Sequence, residues 1–86
     1  MRVVIVYRAE SDHAREVFDY LRDFTRRTGK AIEEKDPDTR DGQSFCQAYG
    51  IMEYPTLVAL SDESQMLNMW RGTPLPQIDE VSYYAG

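Results

Sequence analysis

Two side chains in this sequence invite a chemical reading: its single cysteine, Cys46, and its single histidine, His13. A thiol acts as nucleophile or redox group only as the thiolate, which needs an open helix N-terminus or a nearby cation. Cys46 sits beside Phe45 and one turn before Tyr49, in a segment with helical spacing. Arg40 is within two turns but on no defined face. A free cysteine in such a place commonly packs as a small apolar group. Cys46 is therefore a candidate reactive thiol, with plain packing as the competing reading. His13 lies among Glu10, Ser11 and Asp12. Consecutive residues at a helix start point in different directions, so a Ser-His-Asp triad cannot form from neighbours alone. A metal site would need ligands from elsewhere, and the chain has no second histidine or spare cysteine. The simple reading of His13 is a first-turn residue, with Ser11 or Asp12 as the helix cap. No catalytic group, metal site or cofactor follows from these residues.

The chain has 86 residues, which sets an expectation of one domain spanning 1–86. At that size roughly 60–65% of the unfolded surface can be buried, so each element must contribute to a small core. Ten Lys+Arg against fifteen Asp+Glu leave a net charge of −5. That balance argues against binding nucleic acid or an anionic membrane through counterion release. One cysteine cannot close an intramolecular disulfide. The opening apolar run, Val3 to Tyr7, is far too short for a membrane span or a signal-peptide core. A strand beginning at residue 2 leaves no room for a leader, so a cytoplasmic location is expected.

The elements that must position any site are legible from periodicity. Val3 to Tyr7 is a continuous β-branched run, as expected of a strand covered on both faces. Ala14, Val17, Phe18, Leu21 and Phe24 recur at steps of three and four, giving one apolar stripe on a helix that ends near Thr28. Gly29 is placed to cap it. Asp19–Arg22 and Asp23 with Arg26 or Arg27 are expected ion pairs on its outer face. Lys30 to Lys35 predicts a short, partly exposed strand. Asp36-Pro37-Asp38 is a turn and helix-start signal, with a helix from about Asp38 to Tyr49 and Gly50 as its stop. Thr56 to Leu60 reads as a second buried strand. Met66 to Trp70 follows after the polar turn Ser61–Ser64, as an antiparallel hairpin partner. Thr73-Pro74-Leu75-Pro76 opens a last helix carrying Leu75, Ile78, Val81 and Tyr84 on one face.

The run Tyr49-Gly50-Ile51-Met52-Glu53-Tyr54-Pro55-Thr56-Leu57 resembles the thioredoxin segment Y-G-[IV]-x-x-[IVY]-P-T-L that leads into a buried strand. Lys35-Asp36-Pro37-Asp38 resembles the stretch that opens the second helix in that family. Arg8-Ala9-Glu10 resembles the tripeptide ahead of its redox motif, and Arg71-Gly72 stands where thioredoxins carry a glycine before the last helix. The resemblance implies a thioredoxin-like α/β fold, β-α-β-α-β-β-α, with a four-stranded mixed sheet flanked by helices. It also implies a cis bond before Pro55, with the backbone N–H and C=O of Tyr54 facing a groove. In thioredoxins and glutaredoxins those groups pair with an extended substrate or with glutathione.

The chain departs from the family at the redox motif. Asp12-His13-Ala14-Arg15 falls where C-x-x-C belongs, and a one-residue shift gives Ser11-Asp12-His13-Ala14. Neither holds sulfur. Val6 stands where thioredoxins bury an aspartate. Without a dithiol, the usual two-step disulfide exchange cannot run. With no dithiol or other convincing catalytic constellation, the expectation leans away from an enzyme and toward a redox-inactive thioredoxin-like binding domain. Tyr54 and Pro55, with Ser11, Asp12 and His13 at the first-helix start, would hold an extended peptide of a partner protein or a small thiol such as glutathione. Two other readings stay open: a thiol redox protein or sensor acting through Cys46, and an assembly domain that uses a helix or hairpin edge instead of the groove.

Overall fold

The two most apolar runs meet at the centre of the sheet. Strand β1 (Arg2–Val6) pairs antiparallel with strand β3 (Thr56–Leu60), in a register running from Arg2 opposite Leu60 to Val6 opposite Thr56. All five β3 residues and four of five in β1 are buried. This is the both-faces burial that a run without polar alternation requires. Strand β2 (Glu33–Lys35) adds parallel to β1, and strand β4 (Met66–Arg71) adds antiparallel to β3. The order is β2-β1-β3-β4, a four-stranded mixed sheet, in a computed structural model that describes residues 1–86.

Side chains alternate between two layers. Val3, Ile5, Tyr7, Leu57 and Ala59 meet Val17 and Phe24 of helix α1 (Ala14–Thr28) and Ile78 and Val81 of helix α3 (Ile78–Ser82). Val4, Val6, Val58 and Leu60 face the other way and meet Cys46 of helix α2 (Arg40–Tyr49) together with Ile51. Helices thus cover both faces, α1 and α3 on one and α2 on the other. None of them is long and apolar enough to cross a membrane.

Several local expectations need correction. The N-cap of α1 is His13, with no side-chain cap bond, and neither Ser11 nor Asp12 caps the helix. Ser11 instead donates its hydroxyl to the Arg8 carbonyl at 2.6 Å, which turns it back into the loop. Phe18 belongs to the apolar stripe by spacing but is 48% exposed, at the stripe's margin, with its ring edge-on to Tyr7. Tyr20 takes part in the packing instead, half-buried and stacked near Phe24. Arg22 and Arg26 pair with Asp19 and Asp23 as expected, whereas Arg27 reaches across to Asp79 of α3. Helix α2 begins at Arg40, two residues later than expected, because the Thr39 hydroxyl accepts the Gly42 N–H and so fixes the cap there. The last helix is only Ile78–Ser82. Thr73 and Leu75 each precede a proline, a position biased away from the helical region. Residues 73–76 therefore stay irregular, and the Thr73–Pro74 bond is cis.

The start of α2 is unusually close to the chain before it. A Cβ on Gly42 would overlap the carbonyl oxygen of Asp36, the same oxygen that accepts both the Thr39 N–H and its hydroxyl. Alanine is the better helix former by about 1 kcal/mol. Gly42→Ala should nevertheless destabilise the fold by about 1–3 kcal/mol, the usual cost of overpacking a tight site. Chemical denaturation measures it, and a midpoint at or above that of the parent chain would show that the turn yields.

Candidate functional site

The sheet register itself assembles the candidate site. Continuing the β1–β3 pairing two residues past Val6 opposite Thr56 sets Arg8 opposite Tyr54. Continuing the parallel β1–β2 pairing past Val6 opposite Lys35 brings the chain after β2, Asp36 to Asp38, alongside the same point. The Tyr7 N–H still donates to the Lys35 carbonyl at 3.2 Å, so the ladder holds up to the edge of the site. Ligands in open α/β sheets collect outside such strand ends, where loops diverge and leave room.

Arg8 is the hub. Its guanidinium lies over the Tyr54 ring, 4.9 Å from the centroid, and its Nε and Nη2 donate to both carboxylate oxygens of Asp38 at 3.1–3.3 Å. Its backbone N–H donates to Nε2 of His13 at 3.3 Å, and its carbonyl accepts the Ser11 hydroxyl. Nη1 makes no hydrogen bond within the chain. A cleft of about 280 Å³ opens beside it, lined by Arg8, Ala9, Glu10, Asp36 and Asp38. A second hollow of about 180 Å³ adjoins it, lined by Tyr7, Ala9, Glu34, Lys35 and Asp36.

Tyr54 is half-buried and packs on the α2 side of the sheet. The bond from Tyr54 to Pro55 is cis. Neither the N–H nor the C=O of Tyr54 is hydrogen-bonded within the chain, although its neighbours are. The Glu53 carbonyl accepts the Thr56 hydroxyl at 2.6 Å, and the Pro55 carbonyl accepts the Gly72 N–H at 2.8 Å. Burial first, then the adjacent Cys46 thiol, pushes the Tyr54 hydroxyl above the ordinary tyrosine range. Cys46 itself is 8% exposed and belongs to the core layer formed with Val4, Val6, Ile51, Val58 and Leu60.

Of the residues singled out in the sequence, Ser11, His13 and Tyr54 therefore converge, each through Arg8, and Pro55 lies beside them. Asp12 faces solvent and makes no hydrogen bond or ion pair. Arg8 and Asp38 carry the site's charge, yet sequence reasoning used them only as markers of alignment. A detectable signal existed: Arg8 is a lone cation two residues past a strand whose last four residues are buried. Nothing in the sequence pairs it with Asp38, because that contact follows from the parallel β1–β2 register.

Tyr7 closes the floor of the second hollow. Its hydroxyl donates to Glu34 at 2.6 Å, and burial, reinforced by that carboxylate, pushes its pKa up to about 12. Burial does the same for Tyr20, also to about 12, with Glu80 adding to it. A raised phenol pKa means the folded state favours the neutral form. The associated stability is fully present below the unfolded value near 10 and is lost as pH rises from about 10 through about 12. An absorbance titration of the six tyrosines should therefore show a late-ionising group that contains Tyr7 and Tyr20. Tyr7→Phe should remove one late equivalent, and an unchanged late amplitude would sink the assignment.

No protein-family model and no curated protein matches the chain. Among solved structures, it is similar to thioredoxin 1 from the thermophilic eubacterium Thermosipho africanus TCF52B. The TM-score is 0.66 at 14% identity, covering 98% of this chain and 89% of that one. Identity that low speaks for architecture alone. With its mixed four-stranded sheet, its helices on both faces and a single cysteine that cannot make C-x-x-C, the chain has a thioredoxin-like fold without the dithiol.

Proposed function

We propose that this protein is a redox-inactive thioredoxin-like binding module that holds an extended peptide, or a small thiol such as glutathione, against Tyr54 and Pro55. The observation that carries this reading is the pair of unpaired backbone groups on Tyr54, at the end of a central strand and beside the Arg8 guanidinium. An extended ligand completes the hydrogen bonds that the chain leaves open there, as in strand addition. Arg8 adds a charged donor, Nη1, for a ligand carbonyl or carboxylate. Ser11 and His13 also hold the Arg8 backbone, the Ser11 hydroxyl by donating to its carbonyl and His13 Nε2 by accepting its N–H. A cytoplasmic location agrees with the single unpaired cysteine.

The competing thiol reading has one observation in its favour, the closeness of the Cys46 thiol to Tyr54. A single experiment separates the two. Amide NMR of labelled protein is followed through additions of reduced glutathione, oxidised glutathione and an unstructured peptide of mixed sequence. Saturable shifts centred on Arg8, Ser11, His13 and Tyr54 to Thr56 are expected, unchanged in Cys46→Ser. Arg8→Ala should weaken binding about tenfold, the effect of losing a hydrogen bond from a charged donor. A slow covalent change at Cys46, absent in the serine variant, would transfer the function to the thiol. Silence with all three additions would remove the groove from consideration.

A further inference from the structure

The two hollows beside Tyr54 share a wall, because Ala9 and Asp36 line both of them. Arg8 lines the larger one and also lies over the Tyr54 ring. The larger cleft therefore begins where the Tyr54 site ends. Its chemistry is divided. Ala9 and, in the smaller hollow, Tyr7 offer apolar surface, and carboxylates stand around them.

The charges in these hollows do not balance. Four carboxylates, on Glu10, Glu34, Asp36 and Asp38, share the lining with two cations, Arg8 and Lys35. Both cations are already matched. Arg8 is paired with Asp38, and Lys35 with Asp41, which lines neither hollow. Glu10, Glu34 and Asp36 belong to no ion pair. The Glu34 carboxylate accepts only the Tyr7 hydroxyl, through Oε1, and the Asp36 carboxylate only the Asp38 N–H, through Oδ1. Uncompensated carboxylates around concave walls focus a negative potential into the space between them. They do not form a group of three that could hold a metal ion.

We propose that the ligand of the Tyr54 site is basic: an extended peptide whose lysine or arginine side chain enters the cleft beside Arg8. This inference rests on the groove reading of Tyr54 and selects within it, for a peptide and against glutathione. Two independent features specify the occupant. The unpaired N–H and C=O of Tyr54 call for a polypeptide backbone. The unmatched carboxylates call for a cation on that backbone. A long basic side chain fits the cleft in both its parts, with its methylene stem over Ala9 and Tyr7 and its charged head donating to Glu10, Asp36 or Glu34. Arg8 does not oppose it, because Asp38 already neutralises the guanidinium. Glutathione is net negative at neutral pH and meets the same carboxylates as a like charge. The whole chain acts in the same direction, since its net charge of −5 draws a basic partner and repels an acidic one.

The test uses the whole chain, labelled for amide NMR. End-blocked, unstructured peptides, identical except for a central lysine, glutamine or glutamate, are titrated into it. All three should shift Arg8, Tyr54 and Thr56. The lysine peptide should bind at least about tenfold more tightly than the glutamate peptide, with the glutamine peptide between them. It alone should also move Ala9, Glu10 and Asp36. The advantage should shrink in about 1 M salt, which screens charges beyond about 3 Å. Glu10→Gln combined with Glu34→Gln removes two charges and keeps an acceptor for the Tyr7 hydroxyl, and it should remove most of the lysine advantage. The amide spectrum of this variant reports directly whether its fold is intact. Equal binding of the three peptides, with shifts at Tyr54, would overturn the basic-ligand inference and leave the groove reading standing. So would a lysine advantage that survives both high salt and the double substitution. No shift at Tyr54 with any peptide would remove the groove reading, and this inference with it.

Discussion

Burial of β1 and β3 on both faces is the constraint from which the rest follows. Nine of their ten residues are sealed from solvent. A two-stranded core of this kind cannot exist until something covers each side. That requirement sends α1 and α3 to one face and α2 to the other, and it divides the apolar residues into two layers by strict alternation. The same pairing fixes the site. Because β1 and β3 run antiparallel, the end of one strand is the beginning of the other, so Arg8 and Tyr54 must meet. A one-residue slip would carry both core layers to the wrong faces, so the register that brings Arg8 to Tyr54 is guarded by the whole core.

Electrostatics at the site are local rather than global. The protein is acidic, and carboxylates from Glu10, Asp36 and Asp38 line the larger cleft, with Glu34 in the hollow next to it. Arg8 holds its place among them because Asp38 satisfies one side of the guanidinium and the Tyr54 ring supports a face of it. Lys35 is used in a similar way, paired with Asp41 and resting near the Phe45 ring. Both cations are thus oriented by α2 and the turn before it. The packing of Gly42 against the Asp36 carbonyl is what lets that turn come so close.

The long elements were legible because each rests on a strong, redundant pattern. The β-branched runs Val3–Tyr7 and Thr56–Leu60, the stripe from Ala14 to Phe24 and the stops at Gly29 and Gly50 each state their structure locally. Errors gathered where tertiary contact outweighs local preference. Ser11 is a good cap by type, but its hydroxyl finds the Arg8 carbonyl first. Phe18 fits the helical period, but it lies at the margin of the stripe, edge-on to Tyr7 and half in solvent. The prolines at 74 and 76 looked like a helix start, and their effect on Thr73 and Leu75 delays that start to Ile78. The candidate site was legible by half. Tyr54, Ser11 and His13 stand out through the family resemblance, whereas Arg8 with Asp38 depends on a parallel register that no local pattern encodes.

The loop from Arg8 to His13 is closed by its own side chains. Here the two polar side chains that face inward, Ser11 and His13, are both committed to the backbone of Arg8, one as donor and one as acceptor. These two bonds close the loop into a turn. The unsatisfied hydrogen-bonding capacity lies on the Tyr54 backbone and on Nη1 of Arg8. Two unpaired backbone groups at a strand end thus lie beside a cation held by the Asp38 carboxylate and the Tyr54 ring.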